Sequence, residues 1–164
     1  MKAFCLTAMI VVFLYFCTNG LQAQNEPKLD QRKTAQSSAE ESVRDWYKAY
    51  LNLDSVGLFN FWAIDHPDFV YVADGKVNKR EDFIKRLVSG LRNTKEMTKA
   101  SILEGYPHKL SNNAYSYTSR AILEWISISG KSSSYTVTAT FVLRRIKGQW
   151  KCVQCSAAHV PNSK

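Results

Sequence analysis

Along the chain, apolar positions first recur at helical spacing and later alternate. Val43, Trp46, Tyr47, Tyr50 and Leu51 make one stripe, which predicts an amphipathic helix. Ser38, with Glu41 three residues on, reads as its capping box. Val56, Leu58, Phe59 and Trp62 suggest a second short helix, stopped at His66–Pro67 because the residue before proline disfavours helical geometry. Phe69–Val72 is a short strand, and the Asp74–Gly75 pair after it is a tight-turn signal. Arg80–Leu91 again carries apolar residues at helical spacing, at Phe83, Ile84, Leu87, Val88 and Leu91.

From Thr98 the period changes. Strands are expected over Thr98–His108, Ala114–Ile128, Ser134–Ile146 and Gln149–His159, separated by Asn-, Gly- and Lys-containing turns. In the third of these, Tyr135, Val137, Ala139, Phe141 and Leu143 share one face while Thr136, Thr138 and Thr140 share the other. Helices followed by antiparallel strands predict an α+β fold with helices on one face of the sheet.

The first residues stand apart from this pattern. Lys2 precedes the uncharged apolar run Ala3–Cys17, and small and polar residues follow up to Ala23, so residues 1–23 have the layout of a secretory signal peptide. The run is short for a stable membrane span, which needs about 20 apolar residues. Cys17 stands where a lipoprotein cysteine would, but Phe16 before it is bulky where such signals carry a small residue. Export to the periplasm or medium is therefore expected, with lipid anchoring the lesser alternative. Residues 24–37 are polar and proline-containing and read as a flexible linker, residues 38–160 as one domain, and residues 161–164 as a tail.

Three segments carry a resemblance to a known family: Trp46–Asp54 (WYKAYLNLD), Asp68–Val77 (DFVYVADGKV) and Phe141–Lys151 (FVLRRIKGQWK). In order and character they resemble the nuclear transport factor two-like superfamily, in its SnoaL-like and ketosteroid-isomerase-like branch. The resemblance spans about residues 38 to 160. It implies a cone: a curved, mostly antiparallel sheet wrapped around the N-terminal helix, a cystatin-like roll with an apolar pocket. It also implies a homodimer through the outer sheet face, where Thr136, Thr138 and Thr140 lie.

Function does not follow from such a fold, so the chemistry must be sought residue by residue. Enolisation beside a ketone needs a carboxylate base and acidic donors to the oxyanion. Tyr47 falls where the isomerase branch has its tyrosine donor, but Ala73 and Ala139 fall where its base and second acid would stand. Asp74, next to Ala73, reads as a turn residue. Asp65–His66 is the other candidate pair, since a carboxylate can orient an imidazole base. On the last strand Ser156 takes a pocket-facing position where many relatives have histidine, and His159 falls on the opposite parity. The catalytic candidates are thus Tyr47, Asp65 and His66, without a convincing set among them.

Aromatic side chains are the stronger feature. Tyr47, Tyr50, Trp62, Tyr71, Trp125 and Tyr135, with Ser156, are expected to line a ligand pocket, because apolar bodies with polar tips suit small organic molecules. A noncatalytic module that binds a small apolar or aromatic ligand, or pairs with itself, is the expected function, and a lyase or isomerase acting on a small carbonyl or polycyclic substrate is the alternative.

Charge and cysteine change this little. The net charge of +8 over 164 residues is spread along the chain without a basic run interleaved with aromatics, so no nucleic-acid partner is expected. Past the signal, only Cys152 and Cys155 remain, on a strand where residues three apart should face opposite ways. Neither a redox pair nor a zinc site is expected from them, and no cofactor or metal is implied.

Overall fold

The computed structural model describes residues 29–162, so the signal-peptide expectation, with Cys5 and Cys17, lies outside the described residues. Helices α1 (Leu29–Leu51) and α2 (Ser55–Phe61) come first, then the hairpin of β1 (Val70–Ala73) and β2 (Lys76–Asn78), then α3 (Arg80–Asn93). Four long strands follow: β3 (Thr94–Ser111), β4 (Ala114–Ser127), β5 (Ser132–Ile146) and β6 (Gln149–Pro161). They form one six-stranded sheet in the order β2-β1-β6-β5-β4-β3. Every pairing is antiparallel except β1 with β6, where Ala73 stands beside Ala157. This is the expected α+β architecture, a curved and mostly antiparallel sheet with an N-terminal helix.

The first helix starts earlier than the sequence suggests. Residues 29–37, expected as linker, are helical, and Ser38 lies inside α1 rather than capping it. Its hydroxyl instead accepts a hydrogen bond from the Trp150 indole N–H at 2.9 Å, tying the helix to β6. Good helix formers such as Leu29, Gln31, Arg32 and Lys33 carry the helix back past the Ser–Glu pair. The second helix does start on a cap: the Asp54 carboxylate accepts from the Gly57 N–H at 3.0 Å.

The core lies between α1 and the concave sheet face. Val43 and Tyr47 from the helix meet Tyr115, Tyr117, Val137, Phe141, Leu143 and Cys152 from the strands, all buried. Phe141 is central, packing edge-on against Trp46, Tyr47 and Phe61 with ring centroids 5.5 to 6.5 Å apart. Truncating such a residue to alanine costs about 3–5 kcal/mol. The alternation predicted for β5 holds, since Val137, Ala139, Phe141 and Leu143 are buried while Thr136 and Thr140 are half-exposed and Thr138 exposed.

Two irregularities in this frame shape the site. At the β1–β2 turn, Asp74 (φ 52°) and Gly75 (φ 77°) both take left-handed backbone, as a two-residue hairpin requires. On β6 the register slips: Leu143 pairs Cys152 but Val142 pairs Gln154, which leaves Val153 as an extra, bulged residue.

Candidate functional site

The bulge at Val153 decides which side chains of β6 face inward. Before it, Trp150 and Cys152 are buried; after it, Cys155 and Ala157 are, and His159 follows on the same side. A single extra residue flips every later side chain to the other face. Ser156, expected in the pocket, is therefore exposed and lies outside it. His159, expected on the wrong parity, lines it. Cys152 and Cys155 both turn inward for the same reason, contrary to the opposite faces expected of a regular strand. Both remain free thiols, and burial pushes both above the usual thiol range, so they are packed and inert.

Between helices and sheet lies a cavity of about 80 Å³. Helix α1 contributes Trp46, Tyr47 and Tyr50, and Trp62 enters just past α2. From β1 comes Tyr71, and α3 adds Phe83, Arg86 and Leu87. The sheet floor is Leu123, Val137, Ala139, Phe141, Cys155, Ala157 and His159. Aromatic contacts hold the wall: Trp62 and Tyr71 both pack on Phe83, at 4.9 and 4.8 Å between centroids.

The cavity continues into a wider basin of about 440 Å³ that shares Tyr50, Tyr71, Arg86, Leu123 and His159 with it. Those five residues form a throat. Past it stand Asp74, Met97, Trp125 and Tyr135, the last two stacked at 5.3 Å and 14°. Six of the residues expected to line a pocket are thus brought together: Tyr47, Tyr50, Trp62 and Tyr71 in the cavity, Trp125 and Tyr135 at its mouth.

The polar groups differ in what they have left to give. The Tyr47 hydroxyl is 3.1 Å from that of the fully buried Ser119, so it is spent on an internal bond. Burial pushes its pKa up to about 12, the bond to Ser119 only partly offsetting this. Burial also raises Tyr50 and Tyr71, whose hydroxyls make no hydrogen bond with any described residue. The indole N–H groups of Trp46 and Trp62 are unpartnered too, and unlike those two hydroxyls they are fully buried.

The principal charged cluster, at the mouth, was not legible in the sequence. Asp74 Oδ1 accepts from the His159 backbone N–H at 2.9 Å and lies 3.0 Å from ring Nδ1, while Oδ2 is 3.2 Å from Nδ1 and 3.8 Å from Arg86. Burial opposes the charge on Asp74, but the hydrogen bonds from His159 and the charges of His159 and Arg86 outweigh it and hold the carboxyl below its ordinary range. A carboxylate accepts only, so this pairing assigns a proton to Nδ1, and in the neutral ring Nε2 then carries the lone pair. The arrangement can accept a proton from a bound molecule.

The adjacent pair Asp65–His66 does not form such a unit. Asp65 is exposed and pairs with Arg80, and His66 Nδ1 accepts from the Asp68 backbone N–H at 3.1 Å, as a loop staple. Neither lines the cavity. Among the described residues, no group of three His, Cys, Asp or Glu side chains is placed to hold a metal ion, and no helix is long and apolar enough to cross a membrane.

The comparisons with known proteins fit this frame. A family model described as the SnoaL-like domain matches residues 39–162. The chain belongs to the SnoaL-like family. Solved structures of similar fold include an NTF2-like protein of unknown function in nutrient uptake from Rhodospirillum rubrum, 20% identical over 74% of this chain and 95% of that one, with a TM-score of 0.59. A putative dehydratase of the NTF2-like family from Streptomyces avermitilis is 19% identical over 79% and 98%, at a TM-score of 0.66. A putative scytalone dehydratase from Novosphingobium aromaticivorans is 11% identical over 80% and 87%, at 0.69. At these identities the likeness is one of fold. No curated protein matches the chain.

Proposed function

We propose that this SnoaL-like domain binds a small, single-ring organic molecule whose ring enters the aromatic cavity and whose polar group stays in the throat. The observation that carries this is the pair of unpartnered hydroxyls, Tyr50 and Tyr71, at the junction of cavity and basin. Both residues are half-buried, so each hydroxyl stays open to the throat and can donate to a ligand acceptor there. The inner room of about 80 Å³ is smaller than the roughly 150 Å³ known to hold benzene in a dry apolar cavity. A ring must therefore extend into the throat, which excludes deep burial of a polycyclic ligand.

A second reading rests on Asp74–His159. If the bound molecule carries an acidic C–H within reach of Nε2, the same pocket acts as a lyase or isomerase, with His159 as base and Asp74 orienting it. The fold neighbours include two putative dehydratases, in line with proton transfer in such a cone. Screening single-ring compounds by thermal shift, and following each hit by NMR for chemical change, separates binding from turnover. A raised melting temperature without turnover supports the binder. No hit from the panel would contradict both readings.

We also propose that residues 1–23 are a cleaved export signal, which the mass of the mature protein from its native host would test. Pairing through the Thr136–Thr138–Thr140 face is proposed on family analogy, and a monomer by light scattering at micromolar concentration would contradict it.

A further inference from the structure

The throat offers donors and almost no free acceptors. Arg86 has one partner among the described residues, Asp74, at 3.8 Å, too long for a hydrogen bond, so its guanidinium donors are unspent. Asp74 is already engaged on both oxygens by His159. Tyr50 and Tyr71 add two hydroxyls with no described partner, and both lie within electrostatic reach of Arg86. All three residues line both the aromatic cavity and its basin, so they ring one passage.

We propose that the ligand is a single-ring carboxylate, its ring in the aromatic well and its carboxylate held by Arg86 with the hydroxyls of Tyr50 and Tyr71. This rests on the pocket reading above and narrows its ligand to an anion. Arg86 suits the role because a planar guanidinium matches a carboxylate with two parallel N–H···O bonds. Its half-exposed position on α3 places that fork at the wet end of a dry well, where an anion keeps part of its hydration. The His159–Asp74 contacts serve the same end, because they satisfy the one acid at the mouth and leave Arg86 as the group with charge to offer.

The test is calorimetric titration of the full chain with benzoate and with benzamide, a neutral molecule of nearly the same shape. Benzoate is expected to bind about tenfold tighter, because charge-assisted hydrogen bonds replace neutral ones. In Arg86→Gln that preference should vanish, and Arg86→Lys should retain part of it. Equal affinity for the two probes in the native protein would overturn the carboxylate assignment and leave the pocket standing. A preference for benzoate that survives Arg86→Gln would overturn the role of Arg86. Binding of neither probe at millimolar concentration would overturn the pocket itself. Because the native protein alone gives the first comparison, the outcome does not depend on any variant folding.

Discussion

Asp74 and His159, 85 residues apart, are joined twice: the carboxylate takes the histidine's backbone N–H and its ring Nδ1. The hairpin turn between β1 and β2 is thereby fastened to the end of β6, where the two strands run parallel. Asp74→Ala should remove a charge-assisted anchor and cost about 1 kcal/mol, a value kept low by the exposure of the side chain. Urea unfolding of the two proteins measures it.

The same pair sets a response to acid. The folded carboxyl of Asp74 titrates below its unfolded value, so its contribution to stability is present above about pH 4 and is lost as pH falls through the folded pKa. Between pH 5 and pH 2.5, Asp74→Asn should therefore lose less stability than the native protein. Identical slopes would show that the pairing carries no linked stability.

Tyrosine ionisation gives the alkaline counterpart. Tyr47 titrates at about 12, and burial raises Tyr50 and Tyr71 as well. A raised folded pKa contributes stability that is complete below the unfolded value near pH 10 and disappears as pH rises through the folded one. Absorbance at 295 nm should thus show a fraction of the tyrosines silent at pH 11 and released together with unfolding.

Tyr47 itself belongs to the core as much as to the cavity. Because its hydroxyl is paired with Ser119, Tyr47→Phe leaves the buried serine without that partner and should cost about 1–2 kcal/mol. A double-mutant cycle with Ser119→Ala should recover a coupling of about 0.5–1.5 kcal/mol. No measurable cost would mean that the hydroxyl is instead free for ligand.

The succession of helices and strands along the chain was legible in the sequence because it follows from periodicity, which burial of one face enforces, whereas the parallel pairing of β1 with β6 was not. Tyr50 and Tyr71 sit where their stripes place them. Ser156 and His159 were misjudged for one local reason, the bulge at Val153, whereas Asp74 sits in the turn as read and only its bond to His159 was missed. The signature of the bulge was present: Cys152 and Val153 are adjacent apolar residues, and both are buried. Alternation counted from Trp150 cannot survive an inserted residue. Arg86 read as one surface cation among many because helical spacing alone does not show that α3 ends one wall of a cavity.

The occupied cavity is tested most directly through indole N–H resonances, since the chain has four tryptophans in four situations. Trp46 and Trp62 line the cavity with unpartnered N–H groups, Trp125 stands at the mouth, and Trp150 is bonded to Ser38 away from it. Titrating benzamide into the native protein should move the Trp46 and Trp62 signals and leave Trp150 unmoved. In Ala139→Leu, whose larger side chain fills the floor of the cavity, the same titration should move neither. Shifts confined to Trp150, or Trp46 and Trp62 shifts that persist in Ala139→Leu, would contradict a ligand site between α1 and the sheet.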